Sequence, residues 1–81
     1  MYEIYTKPGC SHCVAAKNLL QSRGQAYTEV VVGKDIMVEE VKLRFPGVRS
    51  VPVVLYNGEF IGGYVNLVER LENDGTQLLT E

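Results

Sequence analysis

The 81 residues suffice for one small domain, residues 1–81, which buries about 60% of the surface its unfolded chain exposes. With 46% hydrophobic and 22% charged residues the composition is that of a soluble globule, and a net charge of -2 without any basic run argues against a nucleic-acid binder. No apolar stretch approaches the roughly 18 residues that a membrane span needs, so no membrane partner is expected.

The opening "MYEIYTKPG" has neither a long apolar core nor a small-residue cleavage site, and is not expected to be a signal peptide. A cytoplasmic, reducing compartment follows as the expectation. There a cysteine pair is catalytic or metal-binding more often than a permanent staple. Tyr2 to Thr6 alternates and is rich in β-formers, which predicts a strand; Pro8 and Gly9 break it. Cys13, Ala16 and Leu20 then fall at helical spacing, and Arg23 and Gly24 suit the last turn and a left-handed cap. Gln25 to Gly33 reads as a second strand whose apolar run suggests burial on both faces. Asp35 is placed to cap a second helix, Glu39 and Glu40 favour its first turns, and Val38, Val41 and Phe45 form its inner stripe up to Pro46-Gly47. Val51 to Tyr56 is a third strand, Asn57-Gly58 a hairpin turn, and "EFIGG" the fourth strand. Asn66, with Glu69 three residues on, looks like the start of a third helix with Leu67, Val68 and Leu71 on its apolar side. The order β-α-β-α-β-β-α is met most economically by an α/β fold: one four-stranded mixed sheet flanked by three helices.

Both cysteines and the single histidine lie in "KPGCSHC", Lys7 to Cys13. Cys10 closes a strand-to-helix loop, where unpaired N–H groups and the helix dipole stabilise a thiolate, and Lys7 adds positive charge nearby. Cys13 falls one turn into the helix on its inner face, more buried and less acidic. That asymmetry suits thiol–disulfide exchange, in which an exposed thiolate attacks and a shielded neighbour resolves the mixed disulfide. Two blander readings stand beside it. Both residues can be small core side chains, or they can be half of a zinc site. The second lacks a second pair of ligands, and His12 does not easily join Cys13 on one ion, so no metal is expected.

"IYTKPGCSHC", "VRSVPVV" and "GGYVNL", in this order and spacing, resemble a glutaredoxin of the thioredoxin-fold superfamily, dithiol Cys-x-x-Cys type. The resemblance runs from Tyr2 to about Leu71. It implies Cys10 as the nucleophile and Cys13 as the resolving thiol. It also implies a cis Val51-Pro52 bond that leaves the Val51 backbone free to pair with substrate beside Cys10. Gly62-Gly63 match the family's turn before the last helix, which holds the γ-glutamyl carboxylate of glutathione. The implied glutathione site comprises Lys7, His12, Val51, Pro52, Gly63, Tyr64 and Arg49, with Lys7 and Arg49 available to glutathione's other carboxylate.

Three positions depart from the family pattern. Ser11 stands where most dithiol members carry proline, restoring an N–H donor. Members with serine there sometimes hold a [2Fe–2S] cluster between two protomers. His12 replaces the usual tyrosine; the helix dipole disfavours its imidazolium while a Cys10 thiolate favours it. Val65 and Asn66 stand where acceptors for glutathione's α-amino group are usual. Val65 accepts nothing through its side chain, and Asn66 is expected to serve as a helix cap.

The resemblance thus implies an enzyme: a monomeric, glutathione-dependent thiol–disulfide oxidoreductase with glutathione as co-substrate. Its expected substrates are glutathionylated proteins or the disulfide of an enzyme such as ribonucleotide reductase. Two alternatives remain open. One is a glutaredoxin-like redoxin reduced by thioredoxin reductase. The other is a glutathione-ligated [2Fe–2S] carrier, favoured by Ser11 alone.

Overall fold

The computed structural model describes residues 1–73. In chain order these form β1 (Tyr2–Thr6), α1 (Ser11–Ser22), β2 (Tyr27–Val31), α2 (Val38–Arg44), β3 (Val53–Tyr56), β4 (Glu59–Gly62) and α3 (Tyr64–Asn73). That is the order the sequence predicts; residues 74–81 of the expected domain lie outside the described residues. The sheet runs β2-β1-β3-β4. β1 pairs in parallel with β2, Thr6 opposite Val31, because α1 supplies the crossover that parallel strands require. β1 is antiparallel to β3, and β3 to β4. The β3–β4 hairpin turns on Asn57 (φ 52) and Gly58 (φ 86), the two positive angles that a type I′ turn demands.

Strand alternation sends side chains to two separate cores. Tyr2 and Ile4 of β1 and Val54 of β3 face α1 and α3, where they meet Ala16, Leu20, Leu67 and Leu71. Tyr5, Val53 and Leu55 face the other way, onto Ile36 and Val41 around α2. Leu20 and Leu67 are fully buried, so truncating either to alanine costs about 2–5 kcal/mol. α1 closes as its sequence suggests: the N–H groups of Arg23 and Gly24 return to carbonyls of the last turn, with Gly24 at φ 67.

Four sequence expectations need correction. β2 is not buried on both faces: it is an edge strand paired only with β1, and Thr28 and Glu29 are exposed. Asp35 does not cap α2. Its carboxylate accepts the Val31 N–H at 3.0 Å and closes the turn after β2, while Met37 occupies the α2 N-cap without a side-chain bond. Val38 is exposed, and Ile36 takes the core place expected of it. α3 begins at Tyr64, two residues before Asn66.

Candidate active site

The strand-to-helix loop after β1 delivers Cys10 to the N-cap of α1. Its backbone is extended (φ -96, ψ 109), and its Sγ accepts the Cys13 N–H at 3.2 Å, filling the role a serine or aspartate oxygen usually plays. The Cys10 thiol lies 3.8 Å from the Val51 carbonyl oxygen. The Val51-Pro52 peptide is cis, as the resemblance implies. Both cysteines are free thiols; Cys10 is half-buried and Cys13 is 1% exposed. Burial, reinforced by the hydrogen bond with the Cys10 sulfur, pushes the Cys13 thiol up to about 11. The expected asymmetry between a reachable and a shielded sulfur is present.

A groove of about 440 Å³ lies between the Val48–Val53 segment and the start of α3; neither cysteine lines it, and Cys10 meets it through its contact with Val51. It brings together His12, Arg49, Val51, Pro52, Gly63 and Tyr64 of the expected site. Lys7 is not among its lining residues. It lies instead on two smaller cavities, of which one shares Arg49, Ser50 and Val51 with the groove and the other shares no residue with it. No acidic residue lines the groove.

The start of α3 differs from expectation in one donor. The Gly63 N–H, expected to face a carboxylate, is taken by Asn66 Oδ1 at 3.1 Å. Asn66 thus sits at the third helical position and reaches back to the cap, the second half of a capping box. The N–H groups of Tyr64 and Val65 fall in the first turn, where no intrahelical acceptor exists. Gly62, at φ 134, lies against the Asn66 side chain, so glycine is required there by both backbone and space.

Sequence reasoning missed two features. His12 and Tyr64, from the starts of α1 and α3, stack with centroids 5.7 Å apart and planes 11° from parallel. Phe60 of β4 lines the groove, is 49% exposed and stacks on Phe45 at 5.8 Å. No local signal announces either, because each joins residues remote in the chain. Among the described residues no group of three or more His, Cys, Asp or Glu side chains is placed to hold a metal ion. A [2Fe–2S] cluster takes four ligands; this chain offers Cys10 as a reachable thiol, so the other ligands of the expected two-protomer cluster would come from glutathione and a second copy.

Comparison with known proteins agrees with this geometry. The glutaredoxin family profile matches residues 2–61. The hybrid peroxiredoxin hyPrx5 of Haemophilus influenzae is 40% identical over 60 residues, 74% of this chain but only 24% of that longer protein. Glutaredoxin 3 of Escherichia coli K12 is 34% identical over 61 residues, 75% of this chain and 74% of the relative. Among solved structures, the holo form of poplar glutaredoxin C1 superposes with a TM-score of 0.76 at 25% identity, covering 96% of this chain and 80% of that one. The buckwheat glutaredoxin–glutathione complex gives 0.75 at 24% identity, with coverages of 89% and 68%. The thioredoxin-like protein BC3987 gives 0.71 at 33% identity, with coverages of 90% and 97%. A thioredoxin-fold sheet, a Cys-x-x-Cys at a helix N-terminus and a profile match over most of the chain converge on one conclusion: the chain belongs to the glutaredoxin family and is a thiol–disulfide oxidoreductase.

Proposed function

We propose that the chain reduces glutathione mixed disulfides and protein disulfides, using glutathione as its reductant. Cys10 attacks a substrate disulfide R–S–S–R′. A Cys10–S–S–R bond forms, the S–S bond to R′ breaks, and R′S⁻ leaves and takes up a proton. For a protein disulfide, Cys13 then attacks the Cys10 sulfur, expelling RS⁻ and forming the Cys10–Cys13 disulfide. Two glutathione thiols reduce that disulfide in turn and leave as glutathione disulfide. The observation that carries the reading is the place of the Cys10 sulfur, between the Cys13 N–H and the carbonyl of Val51, a residue that lines a groove without acidic residues. Such a groove suits a tripeptide with two carboxylates. Arg49, with Lys7 on the smaller cavity that shares Arg49, serves one end and the free N–H groups of Tyr64 and Val65 the other. The buckwheat relative solved with glutathione supports the same ligand class. Glutathionylated proteins and an enzyme disulfide such as that of ribonucleotide reductase are the proposed substrates, in a reducing cytoplasm.

A second reading, reduction by a thioredoxin-reductase type of flavoprotein, is favoured by the capped Gly63 N–H and by the apolar, 66% exposed Val65 at the carboxylate end of the groove. The nearly full-length likeness to a thioredoxin-like protein points the same way. One experiment decides. Turnover of a glutathionylated peptide is followed with NADPH and either glutathione plus glutathione reductase or thioredoxin reductase. Cys13→Ser keeps activity with glutathione, since that substrate needs one thiol, and Cys10→Ser loses it. Turnover with thioredoxin reductase alone overturns the glutathione reading.

A further inference from the structure

Behind the cysteine pair, on the side away from the groove, lies a cavity of about 180 Å³ that neither the fold nor the proposed reaction has used. Its walls include Cys13 and Lys17 of α1, Thr6 of β1 and Glu29 of β2. Thr6 is 2% exposed, and its hydroxyl donates to Glu29 Oε2 at 2.6 Å. Lys17 Nζ donates to the same oxygen at 2.9 Å. One carboxylate oxygen therefore ties the lysine of α1 to a buried hydroxyl of the sheet. Lys17 stands four residues after Cys13, the spacing at which helical side chains are neighbours.

The chemistry explains why a fixed cation belongs there. To resolve a mixed disulfide, Cys13 must become a thiolate in a site that is 1% exposed, where burial opposes charge. We propose that Lys17, held by Glu29 and Thr6, is a positioning residue for the resolving step, its ammonium stabilising the thiolate that forms on Cys13. This rests on the reading of Cys13 as the resolving thiol. The other polar neighbours of that sulfur are Cys10, which raises the cost of ionisation, and the Lys7 backbone, which lowers it. Glu29 both fixes Lys17 and cancels part of its charge. In the step itself Cys13 gives its proton to solvent through the cavity. Its sulfur attacks the Cys10 sulfur of Cys10–S–S–R, the Cys10–Cys13 bond forms, and the bond to R breaks. RS⁻ leaves with the electron pair and is protonated; over attack and resolution together the cysteine pair is oxidised by two electrons and the substrate disulfide is reduced by two.

Removing a cation from a half-exposed position raises a neighbouring thiol's pKa by about half to one unit, which cuts the thiolate fraction about three- to tenfold. The less acidic thiolate is the better nucleophile, with a Brønsted slope of about 0.4–0.5, so resolution slows about two- to fourfold. The test is stopped-flow mixing of the reduced protein with a symmetric nitrothiobenzoate disulfide, whose released thiolate is coloured. Attack by Cys10 releases one equivalent and resolution by Cys13 a second; Cys13→Ser releases one. Two equivalents from Cys13→Ser overturn the resolving role and this inference with it. With that role intact, Lys17→Met slows the second phase about two- to fourfold while the first keeps its rate, and Lys17→Arg restores it. Glu29→Gln accelerates the second phase, because the amide oxygen still accepts the Lys17 N–H but cancels none of its charge. A merely structural cluster would slow under both changes. A second phase unchanged by Lys17→Met, or slowed by Glu29→Gln, overturns the proposal. Should Lys17→Met not fold, the Glu29→Gln rate decides alone.

Discussion

Replacing Gly62 by alanine tests how the α3 end of the groove is built. A φ of 134 lies in a region open essentially to glycine, and holding alanine there costs about 1–3 kcal/mol. The new methyl group would stand 2.6 Å from Asn66 Cγ and 2.8 Å from Asn66 Cβ. The second of these atoms is fixed to the α3 backbone, so a change of rotamer does not clear the clash. Asn66 must shift and release the Gly63 N–H it holds at 3.1 Å, a lost cap of about 1 kcal/mol. The sum is about 2–4 kcal/mol, against a total stability of about 4–12 kcal/mol for a domain this size. Urea unfolding gives the measurement, read as a shift in midpoint at constant slope. Asn66→Gly supplies the control, since it removes both clashing atoms and the cap. In that background Gly62→Ala costs only its backbone part, leaving a coupling of about 1 kcal/mol or more between the two positions. A cost below about 1 kcal/mol in the parent, or an equal cost in both backgrounds, refutes the argument.

Three further outcomes follow from groups already described. The Cys13 thiol, raised from 9.0 to about 11, keeps its proton in the folded chain after the unfolded chain has lost it. Stability is therefore unaffected below about pH 9 and falls, by up to about 2 kcal/mol, as pH rises from there toward 11; Cys13→Ala removes this part of a urea-versus-pH series. The Thr6 hydroxyl, followed by Lys17, holds the Glu29 carboxyl below its ordinary range, so its stabilisation is present at neutral pH and lost as pH falls through the folded value. Thr6→Val moves the Glu29 titration upward, as carboxyl NMR will show; an unmoved titration removes Thr6 from the cluster. On the proposed glutathione reading, Val65→Asp lowers the apparent Michaelis constant for glutathione about two- to tenfold by giving the α-amino group a partner, and Lys7→Ala raises it. If neither moves it, the tripeptide does not lie in this orientation.

The elements readable from sequence are those whose signals are local. The alternation of Tyr2 to Thr6, the spacing of Cys13, Ala16 and Leu20, and the Asn57-Gly58 turn each depend on neighbours in the chain, and each stands where it was expected. The corrections share a different cause. "VVV" at Val30 to Val32 looks like a central strand, but sheet order leaves β2 with one partner, and sheet order is not written in a strand's own composition. Asp35 has a cap-forming side chain, yet the Val31 N–H is nearer than the start of α2 and takes it. In the site, the Cys-x-x-Cys and Val-Pro motifs located the reacting sulfur and its docking backbone. The His12–Tyr64 stack, the groove wall at Phe60 and the loss of the Gly63 donor to Asn66 all depend on how α3 is set against α1 and the hairpin. That setting emerges only from packing on both faces of the sheet.

The thiols and the groove they serve come from separate stretches of the chain. Residues 7–17 carry both sulfurs and, with Glu29, the charges behind them, while residues 48–66 carry nearly all of the docking surface. Reactivity and substrate choice can thus be altered by separate sets of substitutions, and a redesigned hairpin could redirect the enzyme without retuning its chemistry. His12 against Tyr64 is a place where the two sets touch. A substitution at either ring would be felt in both properties at once, which makes this stack the natural position at which to look for trade-offs between speed and selectivity.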